Sequence, residues 1–477
     1  MPPGEAERYL GMLSEDKQLL LGGFLGRLPE RVAARLAKAV EVDRLIGGSD
    51  LPHEEILRAL RPQLRTVPDK SRTQTPQRFF CRPFEDILVS PDRPAKQKGR
   101  ISRSTIEPVW NWLAIDLMAA RHREITDALR DAILHDREAE KEERSAELWD
   151  ECSVRLKAEL ATEKQRAFAA KKLGGVAAVE DAAEIALLLG AGREIAELQK
   201  QLPKPIIGLT EDAVRLLRET FDRLSESMPD VATYVPLIVL GRMERPWEAL
   251  HLVGILGRKM TDLVIANTDL GVTGELLFSD LDEYAKKIQA VRPADFDPDV
   301  LVTHLASFSE LSSGIVKELG IRRDGKWGQR LAKDRGMVSE ALENLLERAP
   351  KEILGALPTA RMGSFGKGPK PLDLSRAPDP DRAAKAIRYA TLMAHSKPFS
   401  VAAAFSAKLR EASDETAEVL RTYSEDLIRE LRAGPSEARA HIEDHWTLVL
   451  SLCSLILGTQ ETDLLRRRGK VPTAAIA

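Results

Sequence analysis

Apolar side chains recur at helical spacing along most of the chain. One long stripe comprises Trp110, Leu113, Leu117, Ile125, Leu129 and Ile133. Its members are separated by about three or four residues or a multiple of that, the spacing that places side chains on one face of an α-helix. Runs rich in β-branched residues do not alternate with these stripes, so a parallel sheet is not expected. The pattern predicts an all-α protein built from many helices.

Proline, glycine and charge divide this helical pattern into segments. The predicted segments are an N-terminal helical region at 1–61, a Pro-rich basic irregular segment at 62–104, a long charged helix or helical hairpin with short helices at 105–205, a helical domain at 206–358, a Gly/Pro linker at 359–380, a C-terminal helical bundle at 381–460 and a polar tail at 461–477. One hydrophobic core stops growing at roughly 250–300 residues. The chain has 477 residues, so we expect two or more helical domains, with the linker as their boundary.

The segment 62–103 differs from its surroundings in proline content and charge. Lys and Arg outnumber Asp and Glu within it, and its prolines are Pro62, Pro68, Pro76, Pro83, Pro91 and Pro94. Because proline lacks the amide hydrogen that helices and central strands need, a mostly irregular segment is predicted. Three phenylalanines so close together are unusual in a disordered tract. We therefore expect Phe79, Phe80 and Phe84 to anchor the segment to the body of the protein.

The basic residues of this segment are candidates for binding a polyanion or a protein partner. They are Arg72, Arg78, Arg82, Lys96, Lys98, Arg100 and Arg103. The cations would bind the phosphates of a nucleic acid while its bases stack on the Phe rings. They would equally suit an acidic protein surface, such as the chain's own stretch 136–151, whose local charge is −5. A third interpretation is an ordered arm whose rings are buried and whose charges are only solvated.

A second basic cluster contains Arg322, Arg323 and Lys326 beside a glycine turn between two predicted helices. Basic loops at the start of a helix bind phosphate. Basic residues at the end of a helix also complement the helix dipole without any ligand. The sequence favours this second account because it needs no further partner.

The region 109–173 contains neither glycine nor proline, and no large apolar side chain occurs between Leu134 and Leu148. A helix that is polar on every face is solvated, bridges two bodies or is unstable. Two structures fit this pattern equally well: one long helix, or a hairpin with its turn near 136–146.

Two glycine-rich patterns resemble phosphate-binding loops only in part. Gly190 and Gly192 follow an apolar run, but Ile195 stands where a dinucleotide-binding turn has its third glycine. The Gly363–Gly368 stretch surrounds a lysine, but it has too few residues between its first glycines and no hydroxyl residue after the lysine. We interpret the first pattern as a helix broken by glycines and the second as part of the linker.

One histidine pair has a spacing that suits zinc. His441 and His445 are one helical turn apart, but Ile442 occupies the place of the glutamate in the protease motif, and a third ligand is not identifiable. We interpret the two histidines as ordinary helix residues. No metal and no cofactor is expected.

Composition indicates a cytoplasmic protein without a membrane span. The net charge is −3, so nucleic-acid binding would have to be local. Cys81, Cys152 and Cys453 are far apart and form no CxxC pair, which is typical of reduced thiols. The first residues have no basic flank followed by an apolar stretch, so we expect no signal peptide. The longest apolar runs are too short to cross a bilayer.

The sequence contains no recognisable catalytic pattern such as GxSxG. Together with the charged region and the two Pro-rich segments, this favours a non-enzymatic helical scaffold that binds protein partners. One alternative is a regulatory protein that binds nucleic acid or another polyanion through 62–103. The other is a helical enzyme whose site is assembled from distant residues.

Overall fold

The computed structural model describes residues 23–25, 27–46, 51, 53–64, 74–90, 95–258, 268–319, 324–359, 372–433, 437 and 440–469. Of these residues, 79% are helical, which confirms the all-α prediction. Within the same ranges, regular strands are limited to one short parallel pair, β1 (Leu88–Val89) and β2 (Ile101–Ser102).

The chain divides into two compact units. Unit 1 comprises residues 1–260 and 267–274, and unit 2 comprises residues 261–266 and 275–477. The division therefore falls inside the helical domain predicted at 206–358. Helices on both sides of the predicted Gly/Pro linker belong to unit 2, and residues 360–371 of that linker lie outside the described residues.

Unit 1 is an array of helices of very different lengths. Its α-helices are α1 (Glu30–Ile46), α2 (His53–Leu64), α3 (Pro76–Cys81), α4 (Arg103–Asn111), α5 (Ala119–Leu134), α6 (Glu138–Glu159), α7 (Glu163–Leu173), α8 (Val176–Leu189), α9 (Gly192–Gln201), α10 (Glu211–Ser227), α11 (Pro229–Ala232), α12 (Val235–Arg242) and α13 (Ala249–Leu256). Short 3-10 helices lie at Arg82–Ile87 and Pro246–Glu248, and a π-helix lies at Trp112–Leu117. The next helix, α14 (Gly271–Gln289), begins in unit 1 and continues into unit 2.

The irregular conformation predicted for the segment 62–104 is wrong for residues 76–89. The chain there forms α3, the 3-10 helix that follows it and β1. Pro76 is the first residue of α3, and the side chain of Thr75 caps that helix by accepting a hydrogen bond from the amide of Arg78. A proline at this position gives up an amide hydrogen that has no partner within the helix in any case. Proline density alone therefore overestimated the disruption.

The charged region 109–173 contains a helical hairpin rather than one long helix. Helix α5 ends at Leu134 and α6 begins at Glu138. Between them Asp136 has φ = 52°, a left-handed conformation that a continuous helix does not contain. Near the far end of the hairpin, Arg121 of α5 contacts Glu147 of α6, so the two helices run antiparallel.

Unit 2 consists of longer helices around a core of aromatic and aliphatic side chains. After α14 its helices are α15 (Pro298–Leu319), α16 (Lys326–Leu354), α17 (Pro380–Ser396), α18 (Ser406–Arg432), α19 (Ile442–Ile456) and α20 (Thr459–Gly469). Its largest fully buried side chains are Trp327, Tyr389, Phe278, Phe308 and Phe405.

The polar tail predicted at 461–477 is wrong for its first part, since α20 continues to Gly469. Thr462 and Leu465 are buried, and Glu461 pairs with Arg421 of α18 at 2.6 Å. Two inward positions spaced three residues apart are enough to hold one face of a short helix against its neighbours. Residues 470–477 lie outside the described residues.

Candidate functional site

Aromatic rings hold the basic segment against unit 1. Phe80 and Phe84 are fully buried and meet edge to face at 5.5 Å between ring centroids. The ring centroids of Trp110 and Phe80 are 5.2 Å apart. The indole nitrogen of Trp149 donates to the backbone carbonyl oxygen of Phe79 at 2.8 Å. Phe80 and Phe84 therefore anchor the segment as predicted, whereas the Phe79 ring is half-buried.

Lys96 lies in a buried ion cluster with two carboxylates of α8. Its amine is 2.8 Å from Asp181 and 3.2 Å from Glu184, and only 9% of its side chain is exposed. The amide of Gly99 donates to both oxygens of Glu184, at 3.2 and 3.1 Å. Burial raises the pKa of Glu184, and the charge of Lys96 opposes that rise. The cation that the sequence offers to a polyanion is thus occupied by the chain's own acids.

Further donors complete the cluster around Asp181. The amide of Ser102 and the hydroxyl of Thr105 both donate to its Oδ2, at 3.0 and 2.7 Å. Because these donors lie in β2 and α4, the cluster attaches the end of the basic segment to α8.

A second ion cluster surrounds Asp86, whose side chain is fully buried. Its carboxylate accepts from Arg242 at 2.7 Å, from Gln199 at 2.9 Å and from Lys204 at 2.8 Å. Arg242 also donates to the backbone carbonyl oxygens of Gln199 and Leu202. One carboxylate of the segment is thereby held by α9, α12 and the loop that precedes α10.

The remaining predicted site residues have varied surroundings. Arg78 lies 3.5 Å from the carboxylate of Glu41. Arg100 is buried, and its guanidinium donates to the side chain of Gln97 at 2.9 Å. Lys98 is exposed. Arg82 and Arg103 are half-buried. Lys326 pairs with Glu275 at 2.8 Å. Arg72, Arg322 and Arg323 lie outside the described residues. The structure therefore brings several of these cations to carboxylates of the same chain.

An open groove of about 580 Å³ runs along α6 on the surface of unit 1. It is lined by Glu143, Arg144, Glu147, Asp150, Glu151, Val154 and Arg193. Its α6 carboxylates and Val154 recur at helical spacing, so they share one face of the helix. Val154, the one large apolar side chain in the lining, is 65% exposed. The sequence marked this stretch as acidic but gave no sign of a groove.

Arginines from neighbouring helices border the groove. Arg121 of α5 contacts Glu147 and lies 3.6 Å from Glu151, and Arg193 of α9 lies 3.3 Å from Asp150. The lining itself carries four carboxylates against two arginines, so its charge is negative.

Unit 2 contains a carboxyl cluster between α14 and α16. Glu275 and Asp282 of α14 both accept from Arg330 of α16, Glu275 at 3.0 Å and Asp282 at 3.1 Å. Lys326 and the indole nitrogen of Trp327 also donate to Glu275, at 2.8 and 3.0 Å. The cluster therefore joins the start of α16 to α14.

A third carboxyl group, Asp334, lies beside Asp282 and is only 2% exposed. Burial, together with the hydrogen bond and charge of Asp282, raises the pKa of Asp334 to about 7. Burial also acts to raise the pKa of Asp282, but hydrogen bonds from Arg330 and Asp334 and the charge of Arg330 bring it below its ordinary value. Two carboxyl groups that share a site in this way ionise at separate pH values. Nothing in the spacing of these residues along the chain pointed to the pair.

The glycine and histidine patterns noted in the sequence have packing or hydrogen-bonding roles wherever they fall within the described residues. Gly190 and Gly192 separate two helices, α8 and α9, rather than a strand and a helix. A Cβ atom at Gly192 would lie 2.6 Å from the Trp149 ring, so glycine here permits close packing. His445 is buried, and its Nε2 contacts the carbonyl oxygen of Arg376 at 2.9 Å, while His441 pairs with Asp444. The Gly363–Gly368 stretch lies outside the described residues.

Metal-binding clusters and membrane-spanning helices are absent from the described ranges. No group of three or more His, Cys, Asp or Glu side chains there is arranged to hold a metal ion. No helix among those residues has the length and apolar character needed to cross a bilayer. Comparison of the chain with protein-family models, curated proteins and solved structures gives no match.

Proposed function

We propose that this protein is a non-enzymatic scaffold whose α6 groove binds a basic, amphipathic segment of a partner protein. The observation that carries the proposal is the groove itself, an open depression with an exposed Val154 and a surplus of carboxylates. The lining combines one apolar side chain with an excess of acidic groups, which is the chemical complement of a basic, amphipathic segment.

The chemistry of the lining defines the partner. Val154 would contact an apolar side chain of the partner, and Glu143 would pair with a Lys or Arg side chain. Asp150 would exchange its exposed pair with Arg193 for a pair with the partner. Complementary charge of this kind speeds association and selects the correct partner more than it adds affinity. Binding should therefore weaken as salt rises, because exposed charges are screened over about 8 Å at physiological ionic strength.

The polyanion alternative has less support. Lys96 and Lys326, two of the cations it would use, already pair with carboxylates of this chain. A phosphate would have to displace Asp181 to reach the buried Lys96, and it would compete with Glu275 for the exposed Lys326. Among the described candidates, Lys98 and Lys326 are exposed. They lie in different units, and two separate lysines are a weak basis for nucleic-acid binding.

The enzyme alternative has one feature in its favour, the raised pKa of Asp334, because perturbed carboxyl groups cluster at active sites. Asp334 is only 2% exposed, however. A substrate would not reach its carboxyl group unless the helices around it moved. The scaffold proposal needs no such movement.

The test is affinity capture from native cells with matched charge-reversal variants. One variant carries Glu143→Lys and Asp150→Lys in the groove. The control carries Glu219→Lys and Glu226→Lys, two exposed acids of α10 in the same unit. Cross-linking before digestion should connect a Lys- or Arg-rich partner peptide to α6. We expect the groove variant to capture roughly tenfold less of that partner and the control to capture it normally.

Other outcomes would count against the proposal. Equal capture by both variants would place the partner elsewhere on the protein. A cross-linked segment that is acidic or wholly apolar would contradict the charge argument. Circular dichroism of each variant checks that charge reversal has left the helices intact.

A further inference from the structure

The cations of the unit 2 cluster are all directed at two of its three carboxyl groups. Arg330 donates to Asp282 and Glu275, and Lys326 donates to Glu275. Asp334 lies deeper, and its Oδ2 is buried without a hydrogen-bond partner. A buried carboxylate without donors is costly, because neither water nor a cation compensates its charge.

A proton on Asp334 removes this cost. The protonated carboxyl group donates to Asp282, which remains a carboxylate held by Arg330. We propose that Asp282 and Asp334 share one proton and thereby act as a pH-sensitive latch between α14 and α16, closed in mildly acidic solution and loosened as the pH rises to neutrality.

Aromatic packing explains why this contact matters to unit 2. The rings of Phe278 on α14 and Trp327 on α16 stack with their centroids 5.6 Å apart. The guanidinium carbon of Arg330 lies 5.5 Å from the centroid of the Phe278 ring. Trp327 is 1% exposed. Loosening of the latch would expose this buried aromatic pair to water. Loss of a single proton would therefore increase the exposed apolar surface of unit 2.

Besides Arg330, two lysines act on the carboxyl groups of the latch. On α14, Lys286 lowers the pKa of Asp282, and on α16, Lys333 acts against the rise at Asp334. From α15, the uncharged Ser312 accepts a hydrogen bond at 3.1 Å from Arg335, the residue after Asp334 on α16.

The charged contacts of α16 with α17 and α18 lie further along the helix. Lys385 of α17 pairs with Glu352, and Lys408 of α18 lies near Glu343 and Glu347. These residues are two or more helical turns beyond Asp334. They supply no cation to its carboxyl group.

The sign of the pH effect follows from the raised pKa of Asp334. An exposed aspartate has a pKa of about 3.9, whereas Asp334 ionises near pH 7 in the closed latch. Its contribution to the closed state is complete below about pH 4 and is lost as the pH rises through 7. Across that window the opening equilibrium increases about tenfold per pH unit, and above pH 7 it levels off. The lowered pKa of Asp282 acts in the opposite direction, but below the ordinary aspartate range.

His304 of unit 2 titrates in an overlapping pH range. Burial lowers the pKa of His304 on α15. This makes folding more favourable as the pH rises through about 6.5, the reverse of the Asp334 effect. A comparison of wild type with a variant at Asp334 cancels the histidine contribution, because both proteins contain it.

The experiment measures hydrogen-exchange protection factors for peptides of α14 and α16 in the full chain between pH 5 and pH 8. Protection factors correct for the intrinsic pH dependence of exchange. The test variant is Asp334→Asn, whose amide still donates to Asp282 but carries no charge. The control is Glu340→Gln, the same chemical change at an exposed position of α16.

We expect the opening equilibrium of wild type, divided by that of Asp334→Asn, to rise about tenfold per pH unit up to neutrality and then remain constant. Glu340→Gln should follow wild type. A second variant, Asp282→Asn, provides the test if the first fails to fold. It removes the carboxylate that shares the proton, so the response should move to lower pH than in wild type, while burial still raises the pKa of Asp334. If wild type and the folded variants have the same pH profile, the latch does not exist.

Discussion

Unit 1 and unit 2 both bury carboxyl groups, but they supply these groups with very different partners. In unit 1, Asp86 accepts from Arg242, Lys204 and Gln199. In unit 2, Asp334 is buried as well, yet its neighbour is another carboxyl group, Asp282. The two carboxyl groups therefore differ in the hydrogen-bond donors around them, not in whether they are buried.

This contrast indicates two uses of a buried acid. The Asp86 cluster connects three parts of unit 1 through a charge that is compensated on every side, so its role is structural. The Asp282–Asp334 pair is compensated only while a proton is present, so its stability depends on solution conditions. Replacing partners in each unit should separate the two roles.

The largest loss of stability is expected from Arg242→Met, which removes the guanidinium that pairs with Asp86. Leaving one member of a buried ion pair without its partner costs about 3–5 kcal/mol. Urea unfolding with hydrogen exchange of unit 1 peptides measures the loss. Arg215→Met is the control, because Arg215 pairs with Asp212 at an exposed site where little change is expected. Similar losses in both variants would contradict a structural role for the Asp86 cluster.

A loss of comparable size is expected from Phe80→Ala, which empties the aromatic anchor of the basic segment. Removing a fully buried phenylalanine ring costs about 3–5 kcal/mol. Phe79→Ala is the adjacent control and should cost less, because its ring is only half-buried and its hydrogen bond to Trp149 uses the backbone carbonyl oxygen. Thermal unfolding of both variants gives the comparison. No destabilisation by Phe80→Ala would show that the segment is attached by its ion clusters alone.

A smaller effect is expected from Gly241→Ala in α12. A Cβ atom there would lie 1.9 Å from the backbone oxygen of Asp86, so the two chain segments must separate. Overpacking of this kind costs about 1–3 kcal/mol, even though alanine favours the helix more than glycine does. Gly208→Ala has no atom within 4 Å of its new methyl group and serves as the control. Urea unfolding should rank the two variants in that order.

The smallest effect is expected from Lys326→Met at the edge of the unit 2 cluster. The Lys326 side chain is 68% exposed, and exposed ion pairs contribute about 0.2–1 kcal/mol. Glu275 keeps its hydrogen bonds from Arg330 and Trp327. If Lys326→Met lowered the free energy of unfolding as much as Arg242→Met does, the proposed difference between the ion clusters of the two units would be wrong. The measurement is urea unfolding at pH 6, below the pKa of Asp334 in the closed latch.

Local periodicity predicted the helices well because each depends on neighbours within one or two turns. The same reasoning identified Phe80 and Phe84 as anchors from their density in a polar tract. It failed at Pro76, because a proline disrupts a helix only at some positions. It also left the hairpin at 136–146 open, since the left-handed backbone at Asp136 has no strong sequence signal.

The partners of the charged residues were beyond local patterns. Gly99 and Glu184 are 85 residues apart in sequence, and Arg242 and Asp86 are 156 apart. With 74 acidic residues in the chain, spacing alone could not select Asp181 as the partner of Lys96. The candidates for polyanion binding therefore included a lysine that is committed to the chain's own fold.

The distance between Asp86 and Arg242 along the chain has a consequence for synthesis on the ribosome. At roughly 5–20 residues per second, the 156 residues that separate them take about 8–30 s to add. Throughout that interval Asp86 lacks its principal cation, although Phe80 and Phe84 have already been made. The basic segment is thus among the earlier parts of unit 1 to be translated, but the Asp86 cluster cannot close around it until α12 has emerged.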